Sequence, residues 1–225
     1  MEARVSAKLN VLDRLRDCIV SLDSECVRKT TKEAMEMDIA PAEIISEGIS
    51  KGSEIIGRKF ENGEYFLSEL MIAGELMKEA LRIVRSDVEM QSVRPVARVI
   101  IGTVEGDIHD IGKNILIMFL ESRGFEVVDL GVDVSIENFV RAVEEYRPQI
   151  LAMSALMTHT APVMGDIIGR LSEGGLRKKV RIIIGGAPTS PEFGEMIGAD
   201  YQTTDALKGV EKCIEWTSAK DDAGS

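Results

Sequence analysis

No apolar run in this sequence approaches the roughly twenty residues that a membrane span requires, and no basic-then-apolar leader opens it. The expectation is a soluble protein of the cytoplasm. Cysteine is scarce. Cys18, Cys26 and Cys213 are odd in number, show no CxxC or other metal spacing, and the short separation of the first two suits a helical turn better than a disulfide framework. They are expected to be reduced. Positive charge is in the minority: 27 Lys and Arg stand against 38 Asp and Glu, a net charge of -11. A surface of that sign repels phosphate backbones, so nucleic acid is not an expected partner. What remains is ordinary globular material, 225 residues with 44% hydrophobic and 29% charged side chains. That length gives one large domain or two modest ones and excludes a peptide hormone or a disordered tail.

The periodicity changes partway along the chain. Up to about Met90, apolar residues such as Leu9, Leu12, Leu15, Ile19 and Leu22 recur at three- and four-residue steps, and no strand is convincing. Asp23-Ser24 supplies a helix cap, Pro41 suits a first helical turn, and Glu61-Asn62-Gly63-Glu64 reads as a turn. This predicts a four-helix antiparallel bundle over residues 1–90. Residues 91–95, Gln91 to Pro95, break the pattern and are expected to be a linker. Beyond it, β-branched runs alternate with stretches of helical length. Strands are predicted at Arg98 to Thr103, Glu126 to Leu130, Ile150 to Ser154, Arg181 to Gly185 and, more weakly, Tyr201 to Thr203. Alternation of this kind implies an α/β domain over 96–218, a flavodoxin- or Rossmann-like parallel sheet with helices on both faces, followed by a tail at 219–225.

In open parallel sheets ligands bind outside the carboxyl ends of the strands, which directs attention to three loops. The first runs from Gly102 through Asp107, His109, Asp110, Ile111 and Gly112 to Asn114. Asp107 stands two residues before His109, close enough to accept the proton of one ring nitrogen while the other nitrogen points outward at a metal. The plainer reading is a solvated loop with a satisfied histidine. The next two loops begin Ser154-Ala155-Leu156 and Gly185-Gly186-Ala187, small residues where larger side chains would normally close the crevice. Glycine pairs also mark tight turns, so spacing has to decide.

Asp107-x-His109-x-x-Gly112, then residues 113–153, then Ser154-x-Leu156, then residues 157–184, then Gly185-Gly186 resembles the cobalamin-binding signature DxHxxG, SxL, GG in all three parts and in their separations. In that family the lower benzimidazole ligand leaves the cobalt and the nucleotide tail enters a channel beside the sheet. The resemblance implies that His109 is the lower cobalt ligand of cobalamin or another cobamide, and that Ser154, Leu156, Gly185 and Gly186 line the channel. Asp110, Ile111, Gly112, Thr158 and Ala187, within or beside the same motifs, are implied as further cofactor contacts. Ser154 to Thr160 is similar to the methionine-synthase version of its loop, which places Thr160, where serine is typical, in a ligand, histidine, aspartate, hydroxyl relay with Asp107. His159 is read as a loop residue. Near the last strand the chain departs from the family's GADGY-like stretch, reading Gly198-Ala199-Asp200-Tyr201, which weakens any assignment of tail contacts to Thr203, Asp205 or Ala206.

The helical half carries the resemblance further. Glu61 to Leu70, continuing to Met77, resembles the cap module that precedes cobalamin domains in methionine synthase and in methylotrophic corrinoid proteins. Phe66, Leu70 and Met77 are the implied shield over the corrin, against the alternative that apolar residues at this spacing are bundle core. The whole then implies a methyl carrier, a non-catalytic subunit: cobalt(I) accepts a methyl group from a substrate-specific methyltransferase, and the methylated cobalt(III) form donates it to an acceptor methyltransferase serving tetrahydrofolate or a thiol. A reductive activation protein is a further implied partner, and Gln91 to Pro95 an implied hinge. A cobalamin-dependent transcriptional sensor would need a DNA-binding domain, and a radical mutase subunit would lack the helical half. A phosphoacceptor receiver or a metal hydrolase built on Glu105, Asp107 and Asp110 lacks, respectively, the late-strand lysine and enough ligands.

Overall fold

A computed structural model describes residues 2–86 and 95–218 of the chain. Most of the proposed linker and all of the proposed tail lie outside the described residues. Contacts divide the chain into two units, one of Met1–Pro95 with Glu121–Gly124 and one of Val96–Leu120 with Phe125–Ser225.

The first unit is helical. Helices α1 (Glu2–Val20) and α2 (Ser24–Glu36) are followed by α3 (Pro41–Glu43), which runs through a π-helical stretch, Ile44–Ser50, into α4 (Lys51–Glu61), and then by α5 (Leu67–Ser86). Asp23 caps α2, its carboxylate accepting the Cys26 N–H at 2.9 Å, and Pro41 stands in the first turn of α3. The buried stripe of α1, Leu12, Leu15 and Ile19, meets this long third helix where it is thinnest: a Cβ on Gly48 would lie 2.8 Å from Leu15 Cδ2, and one on Gly52 3.1 Å from Ile19 Cγ2. Small residues there let the two helices approach closely.

Cys18 and Cys26 are joined as a disulfide, with Cα atoms 5.5 Å apart, which corrects the expectation of reduced thiols. The seven residues between them are not one helix but a reversal, with Leu22 in the left-handed region at φ 60°, so the end of α1 and the start of α2 come face to face. Cys213 is buried and unpaired, and burial pushes its thiol up to about 12. Thiolate is the reactive form. Iodoacetamide should therefore label no cysteine in the native protein, one after unfolding, and all three after unfolding with reductant, as counted by intact mass.

The second unit is α/β. Strands β1 (Arg98–Thr103), β2 (Glu126–Asp129), β3 (Ile150–Ser154), β4 (Arg181–Gly185) and β5 (Tyr201–Thr203) form one parallel sheet in the order β2-β1-β3-β4-β5. Helices α6 (Ile111–Ser122), α7 (Ile136–Tyr146), α8 (Pro162–Glu173) and α9 (Pro191–Ile197) supply the crossovers, and α10 (Ala206–Ser218) follows the last strand. Side chains alternate between faces along each strand. Ile100, Leu151, Met153, Ile182 and Ile184 form one core with Phe139 and Val143 of α7 and Met164, Ile167 and Leu171 of α8. On the other face Ile183 packs beside Leu116 of α6 around Gly209 of α10. The fold is the expected flavodoxin-like parallel sheet, with β2 ending one residue early. Among the described residues no helix is long and apolar enough to cross a membrane. The chain leaves β1 toward β2 on one side and returns to β3 on the other, so the loops after β1 and β3 diverge at a topological switch point, the usual ligand crevice of such sheets.

Candidate functional site

The loop after β1 is a tight structure built around one carboxylate. Gly106 turns the chain at φ 81°, its N–H held by Asp133 Oδ1 at 2.7 Å, and the carbonyl of Asp107 accepts the Asp133 N–H at 2.9 Å. Asp107 is thereby fully buried, the only buried carboxylate among the described residues. An unpaired buried anion would cost several kcal/mol, on the order of a lost fold for a small domain, so it needs donors. It has them from both loops. Oδ1 lies 2.7 Å from His109 Nδ1 and accepts the His109 backbone N–H at 3.1 Å. Oδ2 accepts the backbone N–H of Leu156 at 2.7 Å and of Met157 at 3.2 Å, and lies 2.9 Å from Thr160 Oγ1. Burial works to raise the Asp107 carboxyl, but the Leu156 and His109 N–H groups, the imidazole and the Thr160 hydroxyl outweigh it and hold the group well below the usual carboxylate range. The carboxylate is ionised at neutral pH.

Those contacts fix the histidine. With Asp107 ionised, His109 Nδ1 carries a proton and donates it, so Nε2 presents its lone pair. The side chain is 48% exposed, and Nε2 has no hydrogen-bond partner among the described residues. In the same two loops the apolar side chains of Ile108, Ile111 and Leu156 are left uncovered, at 71%, 57% and 47% exposure. An outward nitrogen donor on loops that also expose apolar side chains suits a largely apolar ligand that carries a metal. No group of three or more His, Cys, Asp or Glu side chains is placed to hold a metal ion among the described residues.

A cleft opens between the strand ends, lined by Gly112, Lys113, Ser154, Gly185, Gly186 and residues 203–206 among others. It encloses about 90 Å³. Ordinary ligand pockets hold roughly 300–1,000 Å³, so a large substituent must part these walls to enter.

Asp107, His109 and Thr160 are thus brought together as the sequence predicts, and Gly112, Ser154, Gly185 and Gly186 share one cleft. Thr203, Asp205 and Ala206, weakly expected, line it too. Leu156 does not line it: its backbone N–H serves Asp107 and its side chain is exposed. Asp110 accepts a bond from Asn114 Nδ2 at 3.0 Å, while Thr158, His159 and Ala187 are exposed and outside the cleft. In the helical unit Phe66 is 69% exposed just before α5, but Leu70 and Met77 are buried in the bundle and present no surface to a ligand. For these two the core reading holds, because their face of α5 turns toward the other helices. Sequence reasoning passed over Asp133, Thr103 and Lys113. A signal existed for the last, a lone lysine in an otherwise apolar helix start, Ile111-Gly112-Lys113-Asn114-Ile115-Leu116.

Comparisons with known proteins agree with this geometry. A family model described as B12 binding domain matches residues 97–211, and a second of the same description matches residues 11–85. The chain is 37% identical to trimethylamine corrinoid protein 1 of Methanosarcina acetivorans, over 92% of this chain and 97% of that one. It is 38% identical to dimethylamine corrinoid protein 2 of the same organism, over 94% and 98%. Among solved structures it resembles a cobalamin-binding protein of Desulfitobacterium hafniense, with TM-score 0.77, 33% identity and coverage of 91% and 98%. It also resembles the methanol:cobalamin methyltransferase complex of Methanosarcina barkeri, with TM-score 0.82, 25% identity and coverage of 96% and 81%.

Proposed function

The chain belongs to the B12-binding family of corrinoid proteins, and from that premise we propose that it is the methyl-carrying subunit of a cobamide-dependent methyltransferase system, with His109 as the lower axial ligand of the cobalt. The observation that carries this is the arrangement at His109: Nδ1 held 2.7 Å from a buried carboxylate, Nε2 free of any partner among the described residues, and a cleft at the strand ends lined by the signature's Gly112, Ser154, Gly185 and Gly186. When bound, cobalamin supplies the cobalt that holds the methyl group. The protein supplies the rest. Asp107 sets the tautomer and the ring orientation, as carboxylates do for metal-bound histidines. The Thr160 hydroxyl keeps that carboxylate in place. Ser154, Gly185 and Gly186 border the cleft that would take the nucleotide tail, and the exposed Ile108, Ile111 and Leu156 would offer apolar contact to the macrocycle. A substrate-specific methyltransferase and an acceptor methyltransferase, working on tetrahydrofolate or a thiol, dock in turn, and a reductive activation protein restores the cobalt(I) state. A methylamine or methanol system is the nearest setting by likeness to the relatives.

The test is titration of apo-protein with hydroxocobalamin followed by desalting and electron paramagnetic resonance of the cobalt(II) form. Stoichiometric retention with hyperfine splitting from a protein nitrogen is expected. Failure to retain the cofactor would sink the proposal.

A further inference from the structure

Asp107 accounts for the orientation of the His109 ring and holds its backbone N–H, but it does not hold the His109 carbonyl. Lys113 is the only buried cation among the described residues. Its Nζ lies 2.7 Å from both carboxylate oxygens of Asp129 and 3.1 Å from Asn114 Oδ1. Two arms run from it to the histidine. Along one, Asp129 Oδ1 accepts the Gly131 N–H at 2.9 Å, the Gly131 carbonyl accepts the Thr103 N–H at 3.0 Å, and Thr103 Oγ1 donates to the His109 carbonyl at 2.9 Å. Along the other, Asn114 donates to Asp110, from Nδ2 to Oδ2 at 3.0 Å and from its backbone N–H to the carbonyl at 2.8 Å. Residues 109 and 110 are held from both sides by bonds that meet at one ammonium.

Packing does not ask for a lysine there. The other buried residues of α6 are Ile117, Met118, Phe119, Leu120 and, in its last turn, Ser122, and a methionine at 113 would fill the same space without the several kcal/mol, by order of magnitude, that burying an ammonium costs. What an apolar residue cannot do is hold Asp129 and Asn114 at once. We infer that Lys113 is a positioning residue for the axial histidine: it clamps the Asp129 and Asn114 arms so that the backbone of His109 sits at one height and Nε2 meets the cobalt in one geometry. This rests on the reading of His109 as ligand. Lys113 also borders the cleft, so direct contact with the nucleotide tail is the competing role. Its three acceptors already occupy the ammonium, and a tail phosphate would have to displace Asp129.

The experiment compares wild type, His109→Ala, Lys113→Met and Thr103→Val. Hydrogen exchange of the apo-proteins is followed over residues 107–114, and the cobalt(II) spectrum is recorded after loading with cobalamin and with cobinamide, which has no nucleotide tail. Loss of a charge-assisted buried hydrogen bond should speed exchange at residues 107–111 by about 10-fold or more in Lys113→Met. Part of its cobalt(II) should lose the nitrogen splitting with either corrinoid, and Thr103→Val should do the same to a smaller extent. If Lys113→Met does not fold, Thr103→Val, which keeps the side-chain volume, carries the comparison. Wild-type exchange and full splitting in the folded variants would overturn the inference, as would an effect confined to cobalamin. Absence of splitting in wild type would instead strike the ligand assignment on which it stands.

Discussion

Gly186→Ala should leave a protein that no longer retains cobalamin through desalting and that unfolds at markedly lower urea than wild type. The backbone at Gly186 has φ 114°, a region L side chains rarely adopt, and a Cβ there would lie 1.7 Å from the Ala155 carbonyl oxygen. Neither atom can retreat. The Ala155 N–H is bonded to the Gly185 carbonyl at 3.1 Å, which closes the ends of β3 and β4 on each other, and the Gly186 carbonyl accepts both the backbone N–H and the hydroxyl of Thr189, at 3.0 and 2.8 Å. Gln202 Nε2 donates in turn to the Thr189 carbonyl and hydroxyl, at 3.1 and 2.8 Å. A single methyl therefore has to prise two strand ends apart and break that turn, and a cost of about 3 kcal/mol or more is expected from strain and lost bonds together. Gly185→Ala is the graded control: its Cβ would meet the Thr203 carbonyl at 2.8 Å but at no positive φ, so it should be milder in both urea midpoint and cofactor retention. Equal retention by Gly186→Ala and wild type would mean that the glycine pair does not form the cleft wall.

The same glycine marks the border between what the sequence makes legible and what it hides. Strands β1 and β4 are recoverable to the residue because each is a β-branched run closed by a glycine-containing turn, β3 because it is a short apolar run, and β5, only Tyr-Gln-Thr, is the weaker one; a parallel order follows from the helices between them. The signature places His109, Asp107 and the glycines at strand ends. Local pattern cannot show what tertiary closure adds. The bonds from Asp107 to Leu156 and Thr160 span 49 and 53 residues, and the network through Asp129 joins three elements that share no motif. Leu70 and Met77 illustrate a different limit: helical spacing finds a face but not what it turns toward, and the bundle claims it. The π-helical stretch Ile44–Ser50 is invisible for a related reason, since its register follows from packing. The Cys18–Cys26 bond was within reach, because a cap at Asp23 already implies a chain reversal between the two.

His109→Ala should separate the two halves of the binding site. The cleft lined by Ser154, Gly185 and Gly186 is built from strand ends and backbone bonds that do not involve the imidazole, so the variant should fold and keep part of its cobalamin. The protein-nitrogen splitting in the cobalt(II) spectrum should vanish completely, because His159, the only other histidine in the sequence, is exposed and outside the cleft. Removing the ring also strips Asp107 Oδ1 of its shortest contact while leaving the His109 backbone N–H on Oδ1 and the Leu156, Met157 and Thr160 donors on Oδ2. The loop should therefore persist, and added imidazole should enter the gap and restore nitrogen splitting, with its Nδ1-equivalent proton facing the same carboxylate. Asp107→Asn completes the argument. It leaves the ligand atom in place but removes the fixed anion, and losses of the supporting carboxylate at metal-bound histidines typically weaken binding by about 10- to 100-fold. If Asp107→Asn retains cobalamin and nitrogen splitting as well as wild type, the carboxylate is there to hold the loop and does nothing to the ligand. If imidazole restores splitting to His109→Ala but not to a double variant with Asp107→Asn, the two residues act as one unit in which the carboxylate aims the nitrogen.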